Sequence, residues 1–238
     1  QLPAILEKVG YDGPYQVTEW GPTGHWESPE THWKRPFEPS STQKANDIAR
    51  RYQDIILADS KCCLGAYIFL WGQKQERTPT WYGMFLEAGE RTAAVDVMQK
   101  AWTGEWPAQR APEIQSLRLN DQEAPASVEG ITNQVFRAEV DAADKDDHLI
   151  SWRVREEVPA ALQSDGGDFE PTPPTVEAVI GTQNRQFNFQ LSEPGEYRLF
   201  CQIDTPYDSS AVANIPFLIK PEPQKRTRFF NLFKRSAA

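Results

Sequence analysis

The chain has 238 residues, enough for one large domain or two smaller domains that each bury a core. Its formal net charge of −9 argues against nucleic-acid binding, because phosphate contacts require a basic face. No run of the sequence approaches the ~20 consecutive apolar residues of a membrane-spanning helix.

The first part of the sequence alternates between helical and extended patterns. Apolar spacing predicts a helix over 2–9, a strand over 15–19, a long helix that is capped by Ser40 or Ser41 and ends near 59–61, a buried strand over 64–71 and a helix over 92–102. The nearly continuous apolar run at 64–71 is typical of a parallel strand covered on both faces. Strand, helix and parallel strand form a βαβ unit, so we predict an α/β fold for residues 1–107. Because the chain begins inside an amphipathic helix, we expect it to be the back part of a longer protein.

The pattern changes after residue 113. Short alternating segments occur at 114–119, 135–141, 149–155, 187–191, 197–204 and 212–219, separated by Gly, Pro and Asp. This spacing predicts an all-β, immunoglobulin-like β-sandwich over 108–220, with Trp152 in its core and Tyr197 at a tyrosine corner. We expect the basic, aromatic tail over 221–238 to be disordered, with contact to a membrane or a partner as the alternative.

Aromatic residues and one carboxylate mark the candidate functional region. The chain has eight tryptophans, of which six fall in the first 102 residues. Flat aromatics among Gln, His and Glu are typical of sugar binding, although core packing also accounts for tryptophan. Glu19 ends a predicted parallel strand, which is where barrel enzymes hold catalytic groups. The alternative is that Glu19 caps the loop that follows.

Metal and disulfide sites are not predicted. Cys62, Cys63 and Cys201 have neither the spacing of a disulfide framework nor that of a metal site. The acidic segment 141–147 lacks the fixed spacing and glycine of a calcium-binding EF-hand loop. The three histidines, His25, His32 and His148, lack zinc-ligand spacing. We therefore expect no metal and no cofactor.

Two strings resemble a known enzyme family. Val17-Thr-Glu-Trp-Gly21, followed by a strand ending at Trp71, resembles the last two β/α units of a clan-A glycoside hydrolase barrel, closest to glycoside hydrolase family 2. The string from Phe69 to Gly83 (Phe-Leu-Trp-Gly-Gln-Lys-Gln-Glu-Arg-Thr-Pro-Thr-Trp-Tyr-Gly) resembles an eighth-strand loop of bacterial family 2-like proteins. Segment 140–149 resembles the strand-turn of PKD-like and cadherin-like domains. The resemblance implies the C-terminal portion of a (β/α)8 barrel, followed by an immunoglobulin- or PKD-like sandwich.

The same resemblance implies a retaining glycosidase with an oligo- or polysaccharide substrate. Glu19 matches the nucleophile and Trp71 the aromatic beneath the sugar, while the acid/base glutamate, ~5–5.5 Å away in such enzymes, would lie upstream of this chain. The chain alone is then expected to be inactive. The substrate-binding residues expected from the resemblance and from the neighbouring loops are Trp20, His25, Trp26, Trp33, Trp71, Gln73 and Glu76.

Two other functions stay open at the level of sequence. One is a non-catalytic carbohydrate-binding or scaffold protein, in which the tryptophan-rich loops bind glycan without cleaving it. The other is a cell-envelope interaction protein that acts through its sandwich and basic tail. The resemblance favours the cell envelope or exterior, and it leaves open the sugar, the linkage and the choice between hydrolysis and transfer.

Overall fold

The computed structural model describes residues 2–143, 147–164 and 169–223, which form three α-helices and three β-sheets. The helices are α1 (Leu2–Lys8), α2 (Ser41–Arg51) and α3 (Ala93–Thr103). The strands are β1 (Tyr15–Trp20), β2 (Cys63–Ile68), β3 (Ile114–Leu119), β4 (Val128–Ile131), β5 (Phe136–Ala142), β6 (Leu149–Glu156), β7 (Thr175–Thr182), β8 (Gln186–Phe189), β9 (Gly195–Asp204) and β10 (Ser210–Lys220). The tail beyond residue 223 lies outside the described residues, as do Asp144 and Asp146 of the acidic segment. The predictions of a disordered tail and of an acidic segment without a calcium site therefore concern residues that the structure does not describe. No helix in the described part of the chain is long and apolar enough to cross a membrane.

Two of the sheets pack face to face. The larger sheet has the strand order β4-β10-β9-β6-β7, and the smaller has the order β3-β5-β8. Aromatic side chains join them, since the ring of Phe136 on β5 lies 5.2 Å from that of Phe217 on β10. Trp152 on β6 is fully buried and stacks on Phe187 of β8 at 5.9 Å. Residues of β5 alternate strictly between buried and exposed, the pattern of a strand with one face on a core.

The third sheet is small, and helices cover one side of it. Strands β1 and β2 pair in parallel, with Trp20 beside Ile68, and these two side chains pack against the apolar cluster between α2 and α3. The start of α2 is fixed by a capping box, in which Gln43 N donates to Ser40 Oγ at 3.2 Å and Ser40 N donates to Gln43 Oε1 at 2.8 Å.

The expected partial (β/α)8 barrel over residues 1–107 is wrong. The described residues form a predominantly β fold with three short helices, and their only parallel sheet of β1 and β2 has two strands and no surrounding set of barrel helices. The barrel was predicted because the apolar run at 64–71 was interpreted as a strand buried on both faces. Strand β2 ends at Ile68, and its Leu64 and Tyr67 side chains are 67% and 61% exposed.

A buried carboxylate joins the helical part to the larger sheet. Glu38 lies on the loop before α2, where its Oε1 accepts from Lys44 Nζ at 2.6 Å and from Thr80 Oγ1 at 2.8 Å. Its Oε2 accepts from Thr78 Oγ1 and from Asn214 Nδ2 of β10, both at 2.6 Å. Both oxygens are therefore saturated by donors from three separate segments of the chain.

The charge of this carboxylate is stabilised from both sides of the joint. Burial by itself raises the pKa of Glu38, but the Lys44 ammonium and the hydrogen bonds from Lys44 and Thr78 outweigh it and hold the pKa below its ordinary value of 4.5. Behind Asn214, Arg198 Nη1 donates to Asn214 Oδ1 at 2.7 Å, and Arg198 Nε donates to Glu157 Oε1 at 2.8 Å. The joint is thus a continuous network of buried charges and amides.

Replacing Glu38 by Gln is expected to destabilise the fold strongly, because it leaves the Lys44 ammonium buried without a counter-charge. A loss of about 3–5 kcal/mol in the free energy of unfolding is expected from urea denaturation at pH 7. The double variant Glu38→Gln/Lys44→Met should recover most of that loss. The matched control is Glu30→Gln, whose exposed pair with Lys34 should contribute about 0–1 kcal/mol. Equal losses of unfolding free energy in Glu38→Gln and Glu30→Gln would contradict the assignment of Glu38 as the buried partner of Lys44.

The contribution of Glu38 should also depend on pH in one direction. Because its folded pKa lies below the ordinary value of 4.5, its stabilisation is present above that pH and is lost as the pH falls through the folded pKa. The difference in unfolding free energy between the parent chain and Glu38→Gln should therefore narrow in acid. Urea titrations at a series of pH values measure it, and a difference that stays constant or widens below pH 4.5 would count against this role of Glu38.

Candidate functional site

Glu19 lies near the end of β1 on the open side of the small sheet. The pairing of β1 with β2 has a register shift between Val17 and Trp20, and Thr18 and Glu19 are both exposed there. Trp20 points towards the helices, where its ring stacks on Tyr52 at 5.9 Å. Glu19 is exposed, and among the described residues its carboxylate takes part in no hydrogen bond or ion pair. An isolated, solvated carboxylate of this kind lacks the hydrogen-bonding neighbours expected of a nucleophile.

The loop after β1 brings together His25 and Glu76, two of the residues predicted to bind substrate. His25 Nε2 lies 3.3 Å from Glu76 Oε1, and Lys74 Nζ lies 2.5 Å from Glu76 Oε2. His25 and Glu76 are 7% and 2% exposed, so they tie two loops together beneath the surface rather than line an open site.

A buried tyrosine completes this contact between the two loops. His25 N donates to Tyr82 Oη at 3.2 Å. Burial raises the pKa of Tyr82 to about 12, and the Glu76 carboxylate adds to the rise while the hydrogen bond from His25 opposes it. Tyr82 therefore remains a neutral phenol at physiological pH and serves as an acceptor within the loops.

The other predicted binding residues are dispersed. Trp26 is 71% exposed, with its ring edge-on to His25 at 5.0 Å. Trp33 is half-buried and stands edge-on to His32 at 4.7 Å. Gln73 is exposed, and its Nε2 donates to the Pro79 carbonyl at 2.9 Å. None of these contacts brings Trp26, Trp33 and Gln73 into a common cleft.

Trp71 forms an exposed aromatic surface with a residue that the sequence did not single out. Its ring centroid lies 6.0 Å from that of Trp102, on the last turn of α3, with an angle of 39° between the rings. Both side chains are 55% exposed. Phe85 stands edge-on behind Trp71 at 5.2 Å. We call Trp71 and Trp102 the tryptophan pair.

The backbone on both sides of Trp71 is held firmly. Leu70 N donates to Tyr82 O at 3.2 Å, and Met84 N donates to Leu70 O at 3.1 Å. On the other side, Phe85 N donates to Gly72 O at 3.2 Å. On the α3 side, Met98 is buried in the apolar cluster and anchors the helix that carries Trp102. The tryptophan pair is therefore presented by fixed elements and needs little ordering before it binds a ligand.

A third nearby tryptophan in the sequence is arranged differently. Trp106 is 43% exposed, but the Arg110 guanidinium lies 3.8 Å from its ring centroid. One face of Trp106 is thus already occupied by a cation–π contact. The sequence signal that could have found Trp102 is the concentration of tryptophans before residue 103, but nothing in the sequence places Trp102 beside Trp71 rather than in the core.

No metal centre emerges in the described residues, since no group of three or more His, Cys, Asp or Glu side chains there could hold an ion. The three cysteines are free thiols, with Cys201 fully buried. Burial raises the pKa of the Cys201 thiol far above its ordinary value, which makes it unreactive.

Comparison with known proteins gives no family for this chain. No family model matches it, and no curated protein matches it. A solved structure of the PmoD soluble domain from Methylocystis is 11% identical, covers 49% of this chain and 95% of its own, and has a TM-score of 0.29. A superoxide reductase (neelaredoxin) from Ignicoccus hospitalis is 14% identical, covers 55% and 94%, and also has a TM-score of 0.29. An engineered protein is 9% identical, covers 92% and 43%, and has a TM-score of 0.26.

These similarities are too weak to carry a functional argument. The predominantly β fold of the described residues corrects the resemblance to a family 2-like glycosidase barrel that the strings around Glu19 and Trp71 suggested.

Gly83 offers a test of how the Trp71 loop is held. A Cβ at this position would lie 2.6 Å from Phe85 O and 2.9 Å from Gly72 O, so alanine must push the two loops apart. We expect Gly83→Ala to lower the unfolding free energy by about 1–3 kcal/mol and to change the near-ultraviolet circular dichroism of the tryptophans. Gly65→Ala is the control, because a Cβ there meets nothing within 4 Å. If the spectrum and stability of the two variants match, Gly83 does not position Trp71.

Proposed function

We propose that this chain is a non-catalytic carbohydrate-binding protein whose binding surface is the tryptophan pair. The observation that carries the proposal is that two half-exposed indole rings stand 6.0 Å apart on rigid elements. Contiguous aromatic surface that is exposed to water is energetically unfavourable, and such patches mark binding sites on folded proteins. Rings this close form one continuous apolar surface rather than two separate contacts.

The chemistry of the surface suits a sugar ring. A pyranose has one apolar face of C–H groups and a rim of hydroxyls, so it packs on an aromatic face while its hydroxyls meet polar groups at the edge. Gln73 lies two residues after Trp71 and is exposed. Its amide nitrogen is committed to Pro79 O, which leaves Oε1 as an acceptor for a hydroxyl. An oligo- or polysaccharide is therefore the ligand class we assign to this surface.

Binding rather than cleavage is supported by the surroundings of Glu19. A retaining mechanism requires a second carboxyl group ~5–5.5 Å from the nucleophile. The buried Glu76 is already engaged by Lys74 and His25. Glu19 itself stands exposed and without a partner in the part of the chain that the structure describes. These features favour a surface that holds glycan without a catalytic pair of carboxylates.

Removing either indole of the tryptophan pair should weaken glycan binding. Trp71→Ala and Trp102→Ala are each expected to cost on the order of 1.4 kcal/mol, about tenfold in Kd, because each removes one half of the apolar surface. Affinity electrophoresis and pull-down with a panel of soluble and insoluble polysaccharides measure the loss. Trp26→Ala is the matched control, since Trp26 is more exposed but lies outside the pair.

The same assays separate binding from catalysis. Glu19→Gln should leave glycan binding unchanged, and the parent chain should release no reducing sugar from a glycan that it binds. Turnover by the parent chain that Glu19→Gln abolishes would overturn the proposal in favour of an enzyme. If Trp71→Ala and Trp102→Ala both keep the parent affinity for glycan, the tryptophan pair is not the binding surface. The same conclusion follows if Trp26→Ala loses as much affinity as they do.

A further inference from the structure

The distance between the two indoles of the tryptophan pair limits how a sugar can contact them. The ring centroids of Trp71 and Trp102 are 6.0 Å apart. A sugar ring clamped between two aromatic faces needs a van der Waals separation of about 3.5–4.0 Å on each side, so the faces would have to stand about 7–8 Å apart. The gap in the pair is too narrow for this. A sugar therefore has to lie on the outer, solvent-facing surface of the two rings.

The angle between the indoles limits the shape of the ligand. The planes of Trp71 and Trp102 are inclined by 39°, and both side chains are 55% exposed. Whatever the direction of this tilt, two rings so inclined cannot both lie flat against one plane. The face of a crystalline polysaccharide is such a plane, because its chains are locked side by side in a lattice. A single chain in solution adapts to the tilt, because rotation about each glycosidic linkage turns one sugar ring relative to the next.

Packing behind the rings holds this tilt. Phe85 stands edge-on against Trp71 at 5.2 Å, with an angle of 77° between the two rings, and Phe85 N donates to Gly72 O at 3.2 Å. Trp102 is carried by α3, whose Met98 is buried in the apolar cluster. Bringing the two indoles into one plane would disrupt packing on which their positions depend, so a ligand meets them at the angle observed.

The aromatic surface is also short. Trp106 follows Trp102 closely in the sequence, but in the part of the chain that the structure describes it makes no ring contact with either member of the pair. One face of Trp106 is covered by the Arg110 guanidinium at 3.8 Å. The surface therefore ends after two indoles, each of which offers a face to one sugar ring.

On the basis of the proposed glycan-binding function, we propose that the tryptophan pair binds two consecutive sugar units of one soluble, flexible glycan chain, and not the flat face of a crystalline polysaccharide. One unit packs on Trp71 and the next on Trp102, and the glycosidic linkage between them takes up the 39° between the rings. Gln73 Oε1 is the acceptor for a hydroxyl of the unit on Trp71. The ligand class is thus narrowed from polysaccharides in general to single chains that can turn at their linkages.

The dependence of affinity on chain length tests the two-unit surface. The probes are the cello-, xylo-, malto- and chito-oligosaccharides of one to six units, titrated by isothermal titration calorimetry. In the series that binds, affinity should rise about tenfold from one unit to two, because the second indole comes into contact, and should change little with further units. An affinity that keeps rising by a similar factor with each unit beyond the second would overturn the proposal.

Two matched variants assign the length dependence to the pair. Trp102→Ala should abolish the gain from one unit to two and leave monosaccharide binding nearly unchanged, a difference that general loosening of the fold would not produce. Trp26→Ala should keep the full length dependence. Circular dichroism establishes that each variant is folded, and Trp102→Leu, which keeps an apolar side chain without a flat face, replaces the alanine variant if that one unfolds. A gain from one unit to two that survives the loss of Trp102 would count against the proposal.

Pull-downs with amorphous and crystalline forms of the same polymer test the exclusion of crystalline faces. Cellulose and chitin are used in both forms, and the crystalline forms should not retain the chain. Retention on a crystalline form at least as strong as on its amorphous counterpart, lost in Trp71→Ala and Trp102→Ala, would overturn this inference while leaving the proposed function intact. A chain that binds none of the oligosaccharides and none of the polysaccharides would overturn the proposed function and this inference together.

Discussion

The buried Glu38 carboxylate is the interaction on which the arrangement of this protein depends. It gathers donors from α2, from the loop before Trp81 and from β10, three segments distant in sequence. A buried charge is tolerated only when it is paired and fully hydrogen-bonded, so these segments have to meet at one point. Because each donor comes from a different part of the chain, the network fixes the helical part against the sheet rather than merely stabilising either one.

The position of the tryptophan pair depends on the contacts around Glu38. Lys44 of α2 also donates to the Thr80 and Trp81 carbonyls, so the loop that carries Tyr82 and Met84 is held against the helix. That loop in turn accepts and donates the backbone hydrogen bonds that flank Trp71. The exposed rings are therefore supported by a chain of buried contacts that begins at Glu38. A binding surface built this way is ready before its ligand arrives.

The sequence predicted local helices and strands better than it predicted how distant parts of the chain pack together. Most elements overlap their predicted positions, because amphipathic spacing and caps such as Ser40 are local signals. Strands β4 and β7 were missed. β4 is short and contains Gly130, while β7 is exposed on both faces and so lacks the alternation that marks a half-buried strand. The barrel was predicted from strings that resemble a family, and the exposure of Leu64 and Tyr67 shows why a run of apolar residues alone does not establish burial.

The candidate site shows the same division. By itself the sequence determined the excess of acidic residues, most of the local helices and strands, and the concentration of tryptophans before residue 103. Only the tertiary structure decided which tryptophans are free to bind, burying Trp81, covering Trp106 with Arg110 and leaving Trp71 beside Trp102. The reason is physical: periodicity reports which face of an element is apolar, whereas exposure depends on what the rest of the chain packs against that face.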